Sequence, residues 1–264
     1  MEVFINEIRL HYVQAGQGVP LLMVHGYPLD HTLWQPQFDG LSDIAQVIAP
    51  DLRGFGQSDA PEGAYTMDTH ADDLAALLDV LKIERAVVCG LSMGGYIALA
   101  FWRKYASRVR ALILVDTRAG ADAPAARQAR LDTAERVKQE GTAFVVEDML
   151  PRLLAEVTRQ SQPDVVEFAR AMMLRQSPAG VVGALLGMAE RPDSTPMLPT
   201  ISVPTLAVFG DQDVITPAGT EGRSLAAAIP GAKLVVTPNA GHLSNLEQPE
   251  AFNATVHEFL ARMA

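Results

Sequence analysis

The chain has 264 residues, 48% of them apolar, and a net charge of −10 at pH 7. Such apolar content excludes a disordered chain, and the acidic balance excludes the basic stripe that a nucleic-acid partner demands. The single cysteine, Cys89, leaves no intramolecular disulfide and no cysteine-based zinc site.

From the amino terminus, "MEVFINEIRL" lacks the basic region and long apolar stretch of a signal peptide. Nowhere does an apolar run reach the roughly 18 residues that span a bilayer, so a cytoplasmic protein with no membrane partner is expected. Alternating, β-branched residues over 3–16 predict a hairpin strand pair. The near-continuous apolar runs "VPLLMVHG" (19–26) and "AQVIAPDL" (45–52) predict strands buried on both faces. Leu74, Leu77, Leu78 and Leu81 fall at helical spacing and predict a helix over 66–83. A buried strand, "RAVVCGL", then runs straight into the helix "MGGYIALAFWRKYAS", and the strand "VRALILVD" (109–116) follows. Cys89 ends one of these apolar runs and is expected to be a buried strand thiol. Alternation of strand and helix predicts an α/β protein with a parallel sheet covered on both faces.

The rhythm breaks after residue 116. Four helices are predicted in "AARQARLDTAERVKQEG", "AFVVEDMLPRLLAEV", "DVVEFARAMMLRQ" and "GVVGALLGMAE", with no strand among them. Pro192, Pro196, Pro199 and Pro204 then mark a boundary. Strands resume at "PTLAVFG" (204–210) and "AKLVVTP" (232–238), with a helix near 217–229 between them and a final helix in "PEAFNATVHEFLARM". The division expected is a core of residues 1–116 and 204–264 and a helical insertion, 117–203.

The stretch "CGLSMGG" (89–95) carries the chemistry. Gly90-Leu91-Ser92-Met93-Gly94 is G-x-S-x-G between a strand and a helix, the setting in which a sharp turn lifts a serine oxygen above the sheet as a nucleophile. A serine hydroxyl needs a base, and the chain has six histidines. His11 lies in an early strand, His25 shapes the turn after a strand, His31 and His70 lie near helix starts as solvated polar residues, and His257 sits on the last helix. His242, in "NAGHLSNLEQP", lies in a loop at the carboxyl end of the last strand, the edge that also carries Ser92. It is the expected base. The order Ser, Asp, His places the orienting acid between them, and "FGDQDVITP" offers Asp211 and Asp213.

These motifs resemble the α/β-hydrolase superfamily over nearly the whole chain. The resemblance implies a mostly parallel eight-stranded sheet with helices on both faces and the insertion as a cap after the sixth strand. It points to Asp213 as the acid and Asp211 as a turn residue, with Asp116 a rival because some relatives carry the acid there. It also implies an oxyanion hole built from the backbone N–H groups of Met93 and Tyr27, and a structural role for the "DLRGFGQSD" loop, with Asp51, Arg53, Gly54, Gly56 and Ser58. Relatives with an aspartate nucleophile, the dehalogenases and epoxide hydrolases, are set aside by Ser92. What remains is an acyl-enzyme route to a small ester or lactone, with no metal and no cofactor.

"GLSMGG", "DTRAG" and "HLSNLEQPEAF" look like 3-oxoadipate enol-lactonases, whereas "HGYPLDHTLW" is closer to arylesterases and cofactor-free, haloperoxidase-like perhydrolases. In that comparison Pro28 suggests peroxide as a second acceptor. Met172, Met173, Leu185 and Met188 are candidates for an apolar pocket wall beside Pro28. Arg152, Arg170 and Arg175 are candidates for binding a substrate carboxylate. Some members of the superfamily are receptors, so a binding protein is the non-enzymatic alternative.

Overall fold

A computed structural model describes residues 1–262. Its sheet has eight strands: β1 (Glu2–Ile5), β2 (Ile8–Ala15), β3 (Val19–Val24), β4 (Ala45–Pro50), β5 (Ala86–Leu91), β6 (Val109–Val115), β7 (Thr205–Gly210) and β8 (Lys233–Thr237). They are ordered β1-β2-β4-β3-β5-β6-β7-β8. The first pair forms the predicted hairpin, β2 meets β4 antiparallel, and every pairing beyond is parallel.

Successive strand residues point to opposite faces, so β5 feeds two cores. Val88 packs with Leu74 and Leu78 of α2 (Met67–Val80) and with Ile97 and Phe101 of α3 (Met93–Tyr105). Val87 and Cys89 pack toward α1 (Gln35–Leu41) and α11 (Pro249–Ala261), through Phe38, Leu41, Phe252 and Val256. All six residues of β5 and all six of β7 are buried, which is why their sequences are unbroken apolar runs. Cys89 is fully buried, and burial pushes its thiol well above the ordinary range.

Between β6 and β7 the chain forms α4 (Pro124–Glu140), α5 (Ala143–Leu153), α6 (Glu156–Ser161), α7 (Pro163–Leu174) and α8 (Pro178–Ala189). The "AFVVEDMLPRLLAEV" segment is therefore two helices, not one. Pro151 has no N–H to donate, the helix ends at Leu153, and α6 starts anew at Glu156. Downstream the predicted helix near 217–229 is α9 (Arg223–Ala228) preceded by a wide turn over Ala218–Gly222, and the His242 loop holds one helical turn, α10 (Ser244–Glu247). The short α1 has too few apolar positions to show a period.

Sheet order reverses at β3, which lies between β4 and β5. Such a switch point opens a crevice at the carboxyl ends of its strands. The loop after β3 and the turn after β5 meet there. Among the described residues no helix is long and apolar enough to cross a membrane.

Candidate active site

Ser92 sits between β5 and α3 with φ 54° and ψ −113°, a conformation seldom adopted by residues with a side chain. Surrounding contacts hold it there. Its N–H donates to Val115 O at 2.9 Å, and its carbonyl accepts from Thr117 Oγ1 at 2.7 Å. The glycines of the motif are there for lack of space. A Cβ on Gly90 would lie 2.1 Å from Gly94 O, one on Gly94 would lie 2.1 Å from Val24 O, and one on Gly95 would lie 2.3 Å from Thr117 Oγ1. Strand, helix and the loop after β3 therefore approach backbone to backbone. Gly90→Ala is expected to cost roughly 3 kcal/mol, or about 6–12 °C in Tm, because backbone must move to admit the methyl. A thermal melt checks this, and an unchanged Tm would mean the turn has slack.

His242 and Asp213 are brought together. The Asp213 Oδ2 atom lies 2.8 Å from His242 Nδ1, and both side chains are buried. The other donors to this carboxylate fix its plane: Ile215 N at 2.7 Å and Thr216 N at 3.0 Å to Oδ1, and Thr216 Oγ1 at 2.5 Å to Oδ2. Burial alone would raise the Asp213 pKa, but the charge and hydrogen bond of His242 and the Thr216 donors outweigh it and bring it down to about 2. With Nδ1 committed to Asp213, Nε2 is the ring nitrogen left for proton transfer.

The two rival acids lie elsewhere in the network. Asp211 is exposed and accepts from Ala240 N at 3.2 Å, as a turn residue does. Asp116, at φ 43°, is fully buried and accepts from Gly210 N at 2.8 Å and from Ser244 Oγ at 2.5 Å. Burial first, and the nearby Asp213 charge second, hold its carboxyl well above the usual range.

The loop after β3 passes close to the serine: a Cβ on Gly26 would lie 3.2 Å from Ser92 Cβ. This places the Tyr27 backbone beside the elbow. Met93 opens α3, where the first N–H groups of a helix have no partner within it. His25 holds the loop. Its Nδ1–H donates to Gly26 O at 2.8 Å, and its Nε2 accepts from Leu52 N at 3.0 Å. Burial lowers its pKa, so the ring stays neutral and acts as a fixed spacer.

A cleft of about 550 Å3 lies between this loop, the Asp213 loop and the inserted helices, with Tyr27, Phe144, Val145, Met149, Leu185 and Ile215 in its walls. The Tyr27 ring is buried, with no partner for its hydroxyl among the described residues. Of the pocket candidates, Leu185 lines this cleft. Met172 and Met173 are buried in the core on the α11 face, and Met188 in the core on the α2–α3 face, because helical apolar spacing marks packing before it marks a pocket. Pro28 is buried, next to Tyr27.

The arginines are also redistributed. Arg175 is spent on Asp30 (Nε to Oδ2 2.6 Å, Nη2 to Oδ1 2.7 Å), and Arg170 is paired with Glu147. Arg152 does line the cleft, together with Arg130 and Arg136, which their helical periodicity did not single out.

Of the two histidines expected to be solvated, His70 is not and His31 is only partly exposed. His70 is fully buried, with neither ring nitrogen partnered among the described residues, set edge-on to Tyr65, and burial brings its pKa down to about 3. His31 Nδ1 lies 2.7 Å and His11 Nδ1 2.9 Å from the buried Asp51 carboxylate, which also accepts from Gln57 N and His31 N at 2.9 Å. Among the described residues this is the one group with the donor atoms to hold a metal. Each carboxylate oxygen already receives two N–H donors, so the group works as a structural brace beneath the "DLRGFG" loop.

Against known proteins, a family model described as "alpha/beta hydrolase fold" matches residues 19–249. The chain belongs to that family. A thermophilic esterase from Thermogutta terrifontis, solved with malate bound, is 46% identical with a TM-score of 0.97, over 100% of this chain and 98% of that one. The enol-lactonase from Burkholderia xenovorans LB400 is 32% identical with a TM-score of 0.92, over 99% and 100%. By sequence, 3-oxoadipate enol-lactonase 2 of Acinetobacter baylyi is 31% identical over 97% of this chain and 95% of its own.

Proposed function

We propose that this hydrolase cleaves short acyl or aryl carboxylic esters in the cytoplasm through an acyl-enzyme on Ser92, with His242 as base and Asp213 as its orienting acid. The observation that carries the proposal is the 2.8 Å contact between His242 Nδ1 and Asp213 Oδ2 on the sheet edge that also bears the strained Ser92. In this scheme His242 Nε2 takes the hydroxyl proton as Ser92 Oγ attacks the carbonyl carbon. The oxyanion is met by the N–H groups of Tyr27 and Met93. Collapse returns the proton to the leaving alcohol, and water repeats the sequence on the acyl-enzyme. No step uses a metal or a cofactor, so EDTA is expected to leave turnover unchanged. Residues 117–203 serve as the cap over the cleft. The esterase likeness at 46% identity supports this substrate class.

Lactone opening is the second reading. It is favoured by the two enol-lactonase likenesses and by Arg130, Arg136 and Arg152 in the cleft wall, where a substrate carboxylate would compete with their ion pairs to Asp122, Glu140 and Asp148. A panel of p-nitrophenyl esters and lactones on purified protein separates the two: faster opening of a carboxylated lactone than of any ester favours the lactonase. Labelling by a fluorophosphonate with no turnover of any substrate would leave a binding protein.

Perhydrolysis is proposed as a side activity. Pro28 is buried next to Tyr27, whose N–H is assigned to the oxyanion. Wild type is expected to form peracid from acetate and peroxide, and Pro28→Leu to lower the ratio of peracid formation to ester hydrolysis. A wild type that forms no peracid removes this part of the proposal.

A further inference from the structure

Glu247 is a buried carboxylate that the proposed reaction does not use. It lies five residues after His242, and its two oxygens face different parts of the chain. Oε1 accepts from Gly241 N at 2.8 Å, beside the histidine. Oε2 accepts from Ala155 N at 2.8 Å and from Thr158 Oγ1 at 2.6 Å, both at the junction of α5 and α6. Backbone contacts close the same gap. The N–H groups of His242 and Leu243 both donate to Leu153 O, at 2.9 and 3.2 Å, and a Cβ on Gly241 would lie 2.6 Å from Ala155 N. The carboxyl end of α5 and the histidine loop therefore pack backbone on backbone with no room to slide.

α5 is also a wall of the cleft, through Phe144, Val145, Met149 and Arg152. One helix thus lines the cleft along its length and, at Leu153, meets the loop that carries the proposed base. We propose that Glu247 is a positioning residue that couples the cap to His242, so that the place of the imidazole is set by α5 as well as by Asp213. The inference rests on His242 being the base.

The physical reason is the number of donors that converge on one carboxylate. Three buried donors aim at it, and each left unpaired would cost about 1–3 kcal/mol. An amide at this position offers one acceptor oxygen and sets an N–H2 group against donors. Glu247→Gln is therefore expected to loosen either the Gly241 side or the Ala155–Thr158 side while filling the same volume. An ångström of misplacement at a catalytic group costs up to roughly 100-fold.

The test measures steady-state hydrolysis of p-nitrophenyl acetate, thermal melting, and the far-downfield proton NMR signal of His242 Nδ1–H, in full-length wild type, Glu247→Gln, Thr158→Val and His242→Ala. Expected for Glu247→Gln is a fall in kcat of roughly 10- to 100-fold with KM little changed, and a shifted or exchange-broadened Nδ1 proton in protein that still melts cooperatively. Thr158→Val, which removes one donor and keeps the carboxylate, is expected to show the same changes in smaller measure and serves in place of Glu247→Gln if that variant does not fold. A folded variant with a lower Tm but wild-type kcat and an unshifted proton would show a merely structural carboxylate and overturn the proposal. Activity that survives in His242→Ala would instead remove the base assignment, and this coupling with it.

Discussion

Ser92→Ala is expected to lower ester turnover by on the order of a millionfold, to what the oxyanion donors and binding alone provide. The loss should be this large because nothing else at the elbow can take the part of the oxygen. Its neighbours are Leu91 and Met93, flanked by glycines that have no side chain. The fold should not suffer. The hydrogen bonds that hold residue 92 use its backbone N–H and carbonyl, to Val115 and Thr117, and an alanine keeps both. A melting temperature within a few degrees of wild type, together with abolished turnover, is the expected pair of results. Near-normal turnover would reject Ser92 as nucleophile.

Asp213→Asn is expected to lower kcat by roughly 10,000-fold, because an amide in place of the carboxylate favours the wrong imidazole tautomer and cannot stabilise the imidazolium. Asp211→Asn should leave kcat within a few-fold, since that side chain is exposed and accepts from the N–H of Ala240 in a turn. Asp116→Asn tests the rival position. Asp116 binds Gly210 and Ser244 rather than the ring, so its loss should be smaller than that of Asp213. Steady-state assays of the three variants decide the matter, and a larger effect at Asp116 or Asp211 would move the acid. The pH profile offers a further check. With Asp213 brought down to about 2, its carboxylate stays ionised in mild acid, so the acid limb of the rate profile is not expected to report this group.

Sheet and elbow were legible in the sequence because their physics is local. The unbroken apolar runs of β3, β5 and β7 need two covered faces, and the glycines at 90 and 94 allow backbone contact while Gly95 makes room for the Thr117 side chain. The preference for Asp213 over Asp211 rests on family likeness; residue spacing alone does not reveal that Asp213 lies 2.8 Å from His242 Nδ1. The inserted helices were legible as helices but not as walls. Met172, Met173 and Met188 share the apolar spacing of Leu185, and only the three-dimensional packing separates the one that lines the cleft from those that fill the core. Arg130 and Arg175 show the same limit: a charged residue on a helix does not reveal whether it faces a cleft or a partner 145 residues away. The burial of His70 is not legible in the sequence, because a polar residue near a helix start is usually solvated; in the fold it is fully buried, edge-on to Tyr65.

The proposed mechanism is tested most directly by trapping its intermediate. Protein mixed with a p-nitrophenyl ester, quenched in acid within the first turnovers and digested, should yield the Ser92 peptide carrying the acyl mass, and a fluorophosphonate should label the same residue and block the reaction. Turnover that continues with Ser92 unmodified, or an acyl group found on another side chain, would contradict it.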